Sequence, residues 1–181
     1  MKTILRTSPM FLILVAALGA VADAPRVARP LLRTLEKGLD ERISRLWPDN
    51  PVALTGAARG VYLEGYGVVF TTEVNTANEG ISLMHTSLTP QEKDHVHRLK
   101  IDRVPDLKKS LKEALVDAAA ACDSVPLDEQ IVIEADLDRY GWEAAGGYPA
   151  EILLQSTRRK LLEVKQAKGA GLDLAIRITE Q

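Results

Sequence analysis

The chain has 181 residues, a net charge of −2, 46% hydrophobic and 27% charged residues, and a single cysteine. Nearly balanced charge excludes a strong pull toward nucleic acid or anionic lipid. The lone Cys122 excludes an internal disulfide, a CxxC redox pair and a Cys2His2 zinc site, so a core of ordinary apolar side chains has to hold the fold.

The chain starts with an export pattern. Lys2 and Arg6 supply positive charge, Phe11 to Val21 carry none, and Ala20-Val21-Ala22 places alanines at the −3 and −1 positions of a cleavage site. Residues 1–22 are therefore expected to be a signal peptide, directing the protein to the periplasm or out of the cell. The apolar run falls short of the roughly 20 residues that span a bilayer, so membrane contact is expected only if this segment stays uncleaved as an anchor. Residues 23–50 are expected to form a basic lead and an amphipathic helix, and residues 51–181 a single α+β domain.

In chain order, Leu31 to Trp47 reads as a helix, with Leu32, Leu35, Leu39, Ile43 and Leu46 on one stripe. Packing against its own domain uses that stripe, and so does a homodimer seam through Leu32 to Leu46. Pro48 ends the helix. Gly60 to Val74 is rich in β-branched and aromatic residues; Gly65-Tyr66-Gly67 divides it as a hairpin turn or a bulge. Asn75 to His97 lacks periodicity and reads as a long loop with a helical turn near Pro90.

Asp106 to Cys122 is the clearest helix, with Leu107, Leu111, Leu115, Ala118 and Cys122 on one face. Gln130 to Leu137 alternates as a strand with one wet face. A Gly- and aromatic-rich connection, Asp138 to Pro149, leads to a strand from Glu151 to Gln155. Ser156 is the expected N-cap of a helix ending before Gly169. Leu172 to Thr179 alternates as a last strand. The order strand-helix-strand-strand-helix-strand predicts an α+β fold with a mostly antiparallel sheet and two packing helices, in the ferredoxin-like βαββαβ arrangement.

Chemistry is sparse. His85, His95 and His97 are the only residues grouped like metal ligands. On an extended segment His95 and His97 point the same way, so a zinc-dependent hydrolase built on these three is the alternative function. Gly65-Tyr66-Gly67 is no phosphate loop, because strand residues follow it. There is no GxSxG elbow, and Glu134 with Asp136 reads as the wet face of a strand. Tyr140, Trp142 and Tyr148 crowd into one glycine-rich connection in a chain with eight aromatics. Aromatics on such a loop either cap the core or form a recognition surface. Lys108, Lys109, Lys112, Arg158, Arg159, Lys160, Lys165 and Lys168 recur on the two helices as a face for acidic polymers. The expected function is a non-catalytic binding module of the cell envelope. It needs no cofactor, and its partner is an envelope protein or a surface polymer.

Overall fold

The computed structural model describes residues 27–50, 52–77, 88–143 and 146–181. The expected signal peptide and His85 lie outside the described residues. The elements are α1 (Arg29–Ser44), β1 (Ala53–Leu54), β2 (Arg59–Leu63), β3 (Gly67–Asn75), α2 (Pro90–Ala121), β4 (Gln130–Leu137), β5 (Glu151–Thr157), α3 (Arg158–Gln166), α4 (Leu172–Ala175) and β6 (Arg177–Glu180). Among the described residues no helix is long and apolar enough to cross a membrane.

The fold is α+β, with six strands in one mixed sheet among the described residues. Its order is β1-β3-β4-β5-β6, with β2 beside β1 on the same edge of β3. This departs from the expected ferredoxin-like arrangement, in which the helix-linked strands are split by another. Here β3 and β4, joined through α2, are parallel neighbours, and every other pairing is antiparallel. The element order is compatible with both windings, so order alone does not choose between them.

Alternation along the strands decides which face is covered. Val68, Phe70 and Val74 of β3, Ile131, Ile133, Ala135 and Leu137 of β4, and Ile152 and Leu154 of β5 are buried. They meet Leu107, Leu111, Leu115 and Ala118 of α2 and Leu161 of α3 in one cluster. Leu32, Leu39 and Ile43 of α1 are buried in that cluster too, with Leu35 and Leu46 partly buried against it, so the stripe packs against its own domain. Cys122 is buried, and burial pushes its thiol up to about 11, so it acts as a small hydrophobe. The opposite sheet face carries Thr71, Glu73, Glu134, Asp136 and Glu151, none of them buried.

α1 also manages the sheet edge. Its Glu36 accepts the Gly60 N–H at 2.7 Å, its Asp40 accepts the Ala58 N–H at 2.9 Å, and Arg29 donates to the Gly60 carbonyl at 2.7 Å. Edge backbone groups that would otherwise invite another strand are thereby engaged. Gly67, at φ 132°, opens β3 where a Cβ would sit 1.9 Å from the Gln130 carbonyl oxygen, so only glycine lets β3 and β4 meet there. Gly65-Tyr66-Gly67 joins β2 to β3 as a hairpin turn.

Three further expectations change. The helix expected from Asp106 begins at Pro90. A capping box starts it, Thr89 Oγ1 accepting from Glu92 N–H while Glu92 Oε2 accepts from Thr89 N–H. Pro105 lies inside it on the exposed side, where water can take up the carbonyl bond that proline forfeits. The last strand also starts later than expected. Gly171, at φ 78°, opens the single turn α4, which leaves Leu174 93% exposed, and β6 spans only Arg177–Glu180. The N-cap of α3 is Thr157. Ser156 instead faces inward and donates to the Ala175 carbonyl at 2.6 Å.

Candidate functional site

Because β3 and β4 are parallel, their carboxyl ends lie together, and the first half of α2 passes over them. The connection from β4 to β5 folds into this region, and its anchor is Lys100 of α2.

Lys100 is 0% exposed. Its Nζ donates to Glu143 Oε2 at 2.6 Å and to the Asp138 carbonyl at 2.9 Å. The same ammonium lies 4.2 Å from the Tyr140 ring centroid and 5.4 Å from that of Tyr148, so the aromatic faces complete its surroundings. The Glu143 side chain is 1% exposed. It also accepts the Tyr140 backbone N–H at 2.7 Å and faces His97 Nδ1 at 3.4 Å. Burial alone would raise its carboxyl pKa; the bonds from Lys100, Tyr140 and His97 outweigh burial and hold it below the usual carboxylate value. The other ring nitrogen of His97 meets the Gly146 carbonyl at 3.1 Å.

A second set of bonds ties this connection to the end of β3. Tyr148 OH pairs with Thr76 Oγ1 at 3.0 Å, and the Asn75 amide donates to Tyr140 OH at 3.1 Å. Arg139 donates to the Tyr148 carbonyl. Arg103 donates to the Thr76 carbonyl at 2.5 Å and to Asn50 Oδ1 at 3.2 Å, with its guanidinium 4.6 Å from the Trp47 ring. Burial pushes the Tyr148 phenol up to about 12, so it stays protonated and available for bonding.

The three aromatics expected to recognise a partner are thus brought together but divided in role. Tyr148 is 2% exposed and belongs to the anchor. Tyr140 and Trp142 are half-buried and stacked, their centroids 5.3 Å apart and their planes within 10°. Lys93 stands 5.6 Å from the Trp142 ring.

The histidine expectation fares differently. His95 and His97 lie on α2, where two residues' separation turns side chains apart by about 200°. His95 is exposed, while His97 turns inward to Glu143. Among the described residues no group of three or more His, Cys, Asp or Glu is arranged to hold a metal. Four of the eight residues of the expected basic face are engaged with groups of the chain. Lys108 pairs with Glu180, Lys112 with Asp173 and Lys165 with Asp117, and Arg158 donates to the Ala119 and Val125 carbonyls.

Lys100 and Glu143 are the residues that sequence reasoning missed. The signal was Lys100 recurring at helical spacing with Val96 and Val104, all three buried on one face. Comparison of the chain with protein-family models, with curated proteins and with solved structures found no match.

Proposed function

We propose that the chain is an exported, non-catalytic binding protein of the cell envelope, and that Tyr140 and Trp142 form its contact surface. The observation that carries this reading is the half-buried Tyr140–Trp142 stack, standing on a connection whose fastenings are themselves buried. Rigid aromatics present a large contact area with few rotamers to freeze, which is why they dominate binding hot spots. The chemically versatile groups beneath them are engaged with one another: the Lys100 ammonium is bound by a carboxylate, a carbonyl and two rings, out of reach of solvent. That arrangement suits a scaffold. Export rests on the charged, apolar and small-residue order of residues 1–22, which places the partner among envelope proteins or surface polymers.

Capture from an envelope fraction tests the reading. The unaltered protein is expected to retain a partner that Trp142→Ala releases, with binding weakened by roughly 2 kcal/mol or more. Equal retention by both proteins would remove Trp142 from the contact surface, and recovery of the full-length chain solely in the cytosol would remove export.

A further inference from the structure

We propose that the crevice between α1 and α2 is a binding site for a neutral, ring-sized organic molecule carrying one hydroxyl or N–H donor, of which phenol is the simplest. The crevice has a volume of about 180 Å³. Leu35 and Leu39 of α1 and Ala114 and Ala118 of α2 form its walls, with Phe70 of β3 and Ile133 of β4 among the lining. A dry apolar cavity of about 150 Å³ is large enough to take up benzene.

The lips of the crevice keep it open. Gly38 stands in the interior of α1, where glycine weakens a helix, and a Cβ there would meet nothing within 4 Å. On the facing helix, Ala114 and Ala118 are four residues apart on one face, and neither reaches across. A leucine at Gly38 would close the opening.

Charge at the mouth selects the ligand. Arg42 donates to Glu113 at 3.1 Å and to Asp117 at 2.6 Å, and Lys165 pairs with Asp117 at 3.5 Å. Two cations thus meet two carboxylates. An anion entering here finds the guanidinium already shared and two carboxylates opposing it. A cation would leave water for an apolar hole. A neutral ring avoids both penalties. Asp117 lines the crevice with its side chain 55% exposed, and a carboxylate accepts more bonds than these two partners use. The ring therefore goes in first, and its O–H or N–H meets Asp117 at the mouth.

The test titrates the full-length protein with phenol, following backbone amide shifts by NMR, with benzoate as an anion of similar shape. Phenol is expected to shift amides of residues 34–42 and 114–118, to bind at least about tenfold more tightly than benzoate, and to lose at least about tenfold in affinity in Gly38→Leu. Gly38→Leu replaces glycine in a helix with a better helix former, so its loss of binding is separable from unfolding by its amide spectrum. The proposal is overturned if phenol causes no shifts in those segments up to about 10 mM, if benzoate binds as well, or if Gly38→Leu binds phenol unchanged. The benzoate comparison requires no variant, so it decides the matter even if Gly38→Leu does not fold.

Discussion

Separating the Lys100–Glu143 pair should be among the most damaging changes available to this protein. Both side chains are inaccessible, at 0% and 1% exposure, and their charged atoms are 2.6 Å apart. Removing one member of such a pair leaves an uncompensated buried charge, typically at about 3–5 kcal/mol. Glu143→Ala also deprives the half-buried Tyr140 N–H of its acceptor, about 1 kcal/mol more, so a loss of about 4–6 kcal/mol is expected. Lys100→Met keeps the apolar length beside the two tyrosines and should cost about 3 kcal/mol. Combining Lys100→Met with Glu143→Gln should cost less than the two single changes summed, because neither charge is then stranded. Urea unfolding followed by circular dichroism gives the stabilities of the unaltered protein, Glu143→Ala, Lys100→Met, Glu143→Gln and the double variant. The pair also makes a pH prediction. The carboxyl of Glu143 is held below its ordinary value, so its contribution is complete above the unfolded glutamate pKa near 4.3 and fades as pH falls through the lower folded value. The stability difference between the unaltered protein and Glu143→Gln should therefore be constant from about pH 5 to 7 and shrink below about pH 4. Single changes costing under about 1 kcal/mol, or additive ones, would show that water reaches this pair and that the connection is not anchored by it.

Four further outcomes follow from the packing. Leu111→Ala and Leu115→Ala should each destabilise by about 2–5 kcal/mol, since both are fully buried, whereas Lys109→Ala on the exposed side of α2 should change little; chemical denaturation separates them. Gly38→Ala should stabilise by about 1 kcal/mol, read as a raised thermal midpoint, because the methyl meets open space. Gly67→Ala should cost more than about 3 kcal/mol or prevent folding, since the new methyl would have to displace the Gln130 backbone, and the soluble yield and amide spectrum would report it. On the open sheet face, burial and then Glu151, Asp136 and Glu73 raise the carboxyl pKa of Glu134, so its charged form opposes folding above the unfolded carboxylate value. Glu134→Gln should accordingly gain stability at pH 7, about 0.5 kcal/mol, with the gain vanishing at pH 4 in parallel melts.

Where burial is one-sided, its period is visible in the chain. The strand at Gln130–Leu137 and the helix through Leu107, Leu111, Leu115 and Ala118 were legible because their covered faces are apolar, with Ser110 of the helix as an uncharged exception. The stretch before Pro105 was not, although it is the same helix. Its buried face reads Val96, Lys100, Arg103 and Val104, two of them cations. A buried cation fits a helix only where distant groups satisfy it, a carboxylate for Lys100 and neutral oxygens for Arg103, and periodicity counts it as polar. Leu172 to Ala175 misled in the opposite sense: the alternation was real, but Gly171 turned the backbone into a helical turn and left Leu174 in solvent.

The candidate site follows the same physics. The aromatic cluster of Tyr140, Trp142 and Tyr148 was visible as composition, because three large rings beside glycines are unusual in a chain with eight aromatics. Which ring is anchor and which is surface was not visible. That division depends on Thr76 and Lys100, 72 and 48 positions away from Tyr148 in the chain, and on a carboxylate 43 positions from the lysine it neutralises. Such contacts arise only when the parallel pairing of β3 and β4 lays α2 across their carboxyl ends. The same dependence bears on how the connection can work. A loop fastened only by its own turns would move when a partner pulls on Trp142. One fastened through Lys100 moves only if α2 yields or a buried charge pair separates, and either is steeply unfavourable. If the proposed contact surface is the right one, partner binding there should occur with little rearrangement of the connection, and its affinity should depend on Lys100, which is itself wholly buried.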